Sequence, residues 1–158
     1  MPDYTRQIDG STGAEKLTPV VSDNPNQITG TGGTGGWSLG SPVYSTDNDE
    51  FAKARANALS TSKVQGLGLS AVAASATGNI QTGGVMELTD AQWQAVTESG
   101  LSLVADTTYV LSITTAGKIQ TLAEWAAAAT TGATRVVIGT AQSTTKMRLE
   151  ISDPESVA

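Results

Sequence analysis

The stretch NIQTGGVMELTDAQWQAVTESG, Asn79 to Gly100, holds both of the periodicities from which the fold is built. Its first part, NIQTGGVMEL, reads as a strand whose paired glycines, Gly83 and Gly84, mark a bulge or a bend. The pattern changes at Thr89. Thr89 followed three residues later by Gln92 forms a capping box, in which hydroxyl and side-chain amide each satisfy an N–H group that the first helical turn leaves unpaired. Leu88 and Trp93 hold the two positions of a hydrophobic staple, and Gly100 is placed to end the helix in a left-handed cap. The reading is a short helix from Asp90 to about Glu98 with Trp93 and Val96 turned to the core.

Working outward, TLAEWAAAATTG repeats the grammar: Thr121 with Glu124 as a second capping box, alanines to propagate the helix, Gly132 to stop it. The rest reads as strands. SPVYST enters a turn at Asp47 to Asp49, FAKARANAL reads as a short strand and then a helical turn, and KVQGLGLS is a strand followed by the turn SATG. TYVLSITTAGKIQTL gives two strands around Thr115 to Gly117. ATRVVIGTAQSTTKMRLEIS gives two more around Gln142 to Thr145, with Met147, Leu149 and Ile151 on one face. About seven short strands and two short helices predict a mainly β protein, a compact β-barrel or sandwich-like domain with two short helices, preceded by an extended N-terminal arm.

Composition narrows the chemistry. The 158 residues suit about one domain, and 39% apolar with 15% charged residues suits a β-rich domain with much turn and loop. Formal charge is -6 and no segment clusters Lys and Arg, so neither nucleic acid nor an anionic membrane surface is an expected partner. The chain has neither cysteine nor histidine, which removes thiol nucleophiles, Cys/His zinc sites and histidine bases. We therefore expect no enzyme, no cofactor and no catalytic or metal site. The polar start MPDYTRQIDG and the lack of a run near the roughly 18 to 20 apolar residues of a membrane span predict a soluble chain without a signal peptide.

Individual candidates for chemistry are weak. DNDE, Asp47 to Glu50, lacks the further ligands and central glycine of a calcium loop and reads as a solvated turn. Glu87 and Asp90 are the nearest thing to a carboxylate pair, but Asp90 already complements a first helical turn. Of the three tryptophans, Trp93 and Trp125 read as core, leaving Trp37 free to be an interface residue.

ITGTGGTGGW, Ile28 to Trp37, contains a literal G-x-G-x-x-G, yet no helix start and no lysine follow it, so the phosphate-cradle reading fails. It reads as a hinge of Gly30, Gly32, Gly33, Gly35 and Gly36. The division is then an arm with its hinge over 1–36, a β-rich domain over 37–152 and a tail over 153–158. The arm's spaced apolar residues Tyr4, Ile8, Leu17, Val20, Val21 and Ile28, with Trp37, are the expected contacts to another surface.

GNIQTGGVMELTDAQWQAV, YVLSITTAGKIQ and VVIGTAQSTTKMRLEI together resemble a group of small tailed-bacteriophage head proteins, the capsid decoration, cement or head-fibre proteins. The steps that carry the resemblance are Gly84 to Leu88, Leu88 to Trp93, Tyr109 to Ser112, Ala116 to Lys118, Val136 to Ala141 and Lys146 to Ile151. It covers about Ser41 to Ser152. Thr121 to Gly132 departs from it, being typically a Pro/Thr-rich loop in such proteins, and the arm has no counterpart. The resemblance implies a structural virion protein made in the host cytoplasm and bound to the outer surface of the head, with the major capsid protein as partner. Strand edges that need protection, together with the symmetry of a capsid, imply self-association as a homotrimer or a dimer. The alternative is a tail-fibre or receptor-binding module that holds a host glycan.

Overall fold

The computed structural model describes residues 26–47 and 49–158, together with the backbone of two strands before them, β1 (Tyr4–Ile8) and β2 (Glu15–Pro19), which pair antiparallel. The remaining residues of 1–25, and residue 48, lie outside the described part.

The first half of the body is a closed barrel. β3 (Gln27–Gly32), β4 (Pro42–Asp47), β5 (Glu50–Lys53), β6 (Val64–Gly68) and β7 (Thr77–Gln81) close in the order β3-β5-β4-β6-β7, with β7 returning to pair with β3. Only β3 and β5 run parallel in that barrel. FAKARANAL begins in β5 and ends at Leu59, where one 3-10 turn, Leu59–Thr61, starts before β6.

The second half is an open sheet. β8 (Gly84–Glu87), β9 (Thr108–Leu111), β10 (Ile119–Thr121), β12 (Val137–Ala141) and β13 (Lys146–Leu149) form an antiparallel sheet in the order β10-β9-β12-β13-β8. A short strand β11 (Thr134–Arg135) pairs with β14 (Glu155–Ser156) beside it. The expected single bent strand at NIQTGGVMEL is thus corrected: it is β7 of the barrel and β8 of the sheet, with the chain crossing from one to the other at Thr82 and Gly83. Gly84, the first residue of β8, has φ +73°, a left-handed conformation that turns the chain out of the barrel and that only glycine adopts freely. That break sets the two-part architecture.

Both helices form with their capping boxes complete. α1 (Asp90–Val96) has Thr89 as N-cap, Gln92 N–H donating to its hydroxyl at 3.3 Å and Thr89 N–H donating to Gln92 Oε1 at 2.9 Å. α2 (Leu122–Ala128) repeats this with Thr121 and Glu124. Each is shorter than expected and ends without a glycine cap, at Thr97 and Ala129 in extended conformation. Gly100 and Gly132 are left-handed, but in the loops beyond.

One large core spans both halves. Ala54, Ala56, Val64 and Leu67 from the barrel side pack with Trp93, Val96, Leu111, Ile119, Ile138 and Met147. The Trp93 indole is fully buried and its Nε1–H donates to the Thr145 carbonyl at 2.9 Å, so the largest side chain of α1 leaves no donor unpaired. A smaller cluster, Trp37, Val43, Phe51, Val72 and Ile80, fills the barrel itself. Met147 and Leu149 are buried on the predicted face, with Ile151 half-buried against the same core. Within the tail over 153–158, β14 pairs with β11 and the Val157 N–H donates to the Ala133 carbonyl at 2.9 Å.

Candidate interaction surface

The glycine-rich run is a barrel strand and its turn, and this corrects the hinge reading of Gly30, Gly32, Gly33, Gly35 and Gly36. Gly30 and Gly32 lie in β3 and are paired with β7 and β5 on its two sides. A methyl group at Gly30 would overlap the Phe51 ring, and one at Gly36 would overlap the Val72 carbonyl. Gly35 and Gly36 turn the chain at φ +83° and +55°. Gly30, Gly32, Gly33 and Gly36 are there because neighbouring groups approach the backbone closely, and Gly35 because the turn needs its positive φ; neither is the freedom of a hinge. The boundary between 36 and 37 accordingly falls inside the barrel.

Trp37 is likewise no interface residue. It is 2% exposed, meets Phe51 edge-on with ring centroids 6.5 Å apart, and packs where Gly68 and Gly78 leave room for its indole. Its Nε1–H is buried without a partner among the described residues, a cost of about 1–3 kcal/mol that the apolar area of the ring offsets. With Trp93 fully buried and Trp125 7% exposed, none of the three indoles is placed to stack on a sugar.

Of the expected contact residues, Tyr4, Ile8 and Leu17 belong to β1 and β2, whose side chains lie outside the described residues, as do Val20 and Val21 altogether. Ile28 is described. It sits at the start of β3, paired with Ile80, and keeps 36% of its surface exposed.

The surface that the sequence reading missed is apolar and belongs to the second half. Leu101 and Val104 are 67% and 59% exposed on either side of the buried Leu103. Their outward position is held: the Thr97 hydroxyl donates to the Leu101 carbonyl at 2.7 Å, and the Val104 N–H donates to Tyr109 Oη at 3.0 Å. GLSLV, Gly100 to Val104, carried a signal, since three apolar residues in four positions cannot all face one core. Val85 is exposed on β8, which forms one edge of the open sheet, and Leu122 is exposed at the start of α2. Beside Leu122, a recess of about 240 Å³ is floored by Val110 and Val137 and rimmed by the Arg135–Glu155 ion pair. Covering each such side chain stabilises a complex by up to about 1.5–3 kcal/mol.

The polar candidates resolve into structure. Asp47 pairs with Glu50 across the turn between β4 and β5, and Asp49 takes φ +56° there. Glu87 lies 3.8 Å from Lys146 on the neighbouring strand, while Asp90 occupies the first turn of α1. Among the described residues no group of His, Cys, Asp and Glu could hold a metal ion, and no helix is long and apolar enough to cross a membrane. Burial is the main cause that pushes the Tyr109 phenol above its ordinary range; the Val104 N–H opposes this and the Glu124 charge adds to it. Comparison with family models and with curated proteins finds no match to this chain.

Proposed function

We propose that this protein is a structural component of a tailed-phage virion that binds the outer surface of the head and decorates or stabilises it. The observation that supports the reading most is where the resembling segments fall. Gly84 to Trp93 is β8 leading into the cap of α1, Tyr109 to Ser112 contains β9, and Ala116 to Lys118 is the turn into β10. Val136 to Ala141 and Lys146 to Ile151 contain β12 and β13. The shared steps therefore assemble into one sheet with its helix, as a common fold unit would. Val85 on β8, and Leu101 and Val104 in the chain between α1 and β9, are exposed apolar side chains available for docking. The partner is the major capsid protein, and multiple copies on a lattice multiply a modest affinity per site.

Electron microscopy of the parent particle tests the proposal directly. The expected result is density for this chain in many copies outside the shell; a single ring at the tail or portal would remove it. Light scattering on the isolated chain is expected to give a trimer mass, with a dimer as the alternative, because the open edge at β8 needs a cover. Binding to expanded, undecorated heads is expected to fall about tenfold or more when Leu101 and Val104 are both replaced by Ser, given the apolar area lost. Equal binding by that variant would move the docking surface elsewhere.

A further inference from the structure

We propose that the recess where the barrel meets the second sheet binds an oxyanion, a carboxylate or a phosphate group, through Lys53, Lys118 and the hydroxyl of Ser41. The recess holds about 220 Å³. Ser38, Ser41 and Lys53 wall it from the barrel side, and the turn from Thr115 to Lys118 walls it from the other. Three of its polar groups, Ser41, Lys53 and Lys118, keep hydrogens that find no acceptor among the described residues. Ser41 is 2% exposed; its Oγ accepts the Ser38 N–H at 3.3 Å, but its own hydrogen is donated to no acceptor among the described residues.

Lys53 supplies the charge. Its stem lies along Gly117, whose φ of +77° and missing side chain make the space, and its ammonium has no partner among the described residues. Lys118 Nζ reaches the Thr97 carbonyl only at 3.5 Å, which occupies at most one of its three hydrogens. No carboxylate lines the recess. Glu98, next to Thr97, is already held by the hydroxyls of Ser112 at 2.7 Å and Thr115 at 2.8 Å. Arg135, Lys146 and Arg148, by contrast, each have a glutamate partner. In a chain of net charge -6, two lysines without an ion-pair partner among the described residues, lining one recess with a hydroxyl whose hydrogen is free to donate, are complementary to one small anion. The geometry stands independently of the virion reading.

The test is a titration of the full-length chain by amide NMR with sodium acetate and, separately, sodium phosphate, against sodium chloride at equal ionic strength. Saturable shifts confined to the amides around Ser41 and the Thr115 to Lys118 turn are expected with at least one of the two anions, and the stronger one identifies the chemical class. Lys53→Gln is expected to weaken binding about tenfold, the scale of one charge-assisted hydrogen bond. Ser41→Ala is expected to weaken it without any change in charge. Lys63→Gln, at a lysine outside the recess, is expected to leave it unchanged. Shifts that are linear, that chloride reproduces, or that saturate at the same anion concentration in Lys53→Gln as in the native chain overturn the proposal. Should Ser41→Ala fail to fold, the half-buried Lys53 and the Lys63 control still decide the question.

Discussion

Gly30 lies against the ring of Phe51 with no space for a methyl group. Gly30→Ala therefore forces β3 or Phe51 to move, and urea unfolding is expected to show a loss of about 1–3 kcal/mol. Gly35→Ala meets nothing in space but must hold φ +83°, so a smaller loss of about 1 kcal/mol is expected. An unchanged midpoint for Gly30→Ala would restore the joint reading of this run. Tyr109 carries the pH prediction. Its phenol is held above the ordinary 10.0 by burial, so the folded state binds a proton that the unfolded chain has lost once pH exceeds about 10. The corresponding stability is complete below that pH and falls away as pH rises towards the folded value. Subtracting the phenolate absorbance titration of Tyr109→Phe from that of the native chain is expected to isolate one group with its midpoint above 10. A difference midpoint at or below 10 would contradict the burial account. At this scale the sequence showed that Gly30 and Trp37 matter but not why, because neither Phe51 nor Val72 is a neighbour of the glycine run along the chain.

Each helix has only seven residues, too few to stand alone, so both depend on their caps and on the buried faces of Trp93, Val96 and Trp125. Thr89→Ala and Thr121→Ala each remove the acceptor of a first-turn N–H, and each is expected to cost about 0.5–2 kcal/mol in chemical denaturation. Serine at either position is expected to retain most of the stability, since it keeps the hydroxyl. The capping boxes were legible because their partners are three residues apart and the interaction is local. The helix ends were not. Glycine marks a left-handed residue, yet the chain leaves α1 at Thr97, where the backbone bridges to Ile119 in parallel and a tertiary partner ends the helix before Gly100 is reached. The division of NIQTGGVMEL between two sheets was legible only as a pair of glycines, because a strand does not carry in its own residues the identity of its partner.

For the whole molecule, the closed barrel makes a prediction about deletion. Removing residues 1–25 leaves β3 to β14 intact and is expected to preserve one cooperative melt, as followed by circular dichroism. Removing 1–36 takes away β3, which closes the barrel between β7 and β5, and is expected to abolish that melt. A folded 37–158 fragment would show that the barrel tolerates an open seam. The common core, in which Ala54 and Leu67 of the barrel side pack with residues of the sheet, is the reason for a single transition. The sequence alone determined the mainly β class, the two helices with their starting residues, most strand positions and the inward face of Met147 and Leu149. All of these follow from interactions within a few residues or from a repeat of period two. Only the tertiary structure decided that the chain closes a barrel before it builds a sheet, that the glycine run and Trp37 are packed inside, and that Leu101 and Val104 face out. Those outcomes depend on which distant segments meet, and the space left between them is a property of the assembled fold rather than of any stretch of chain.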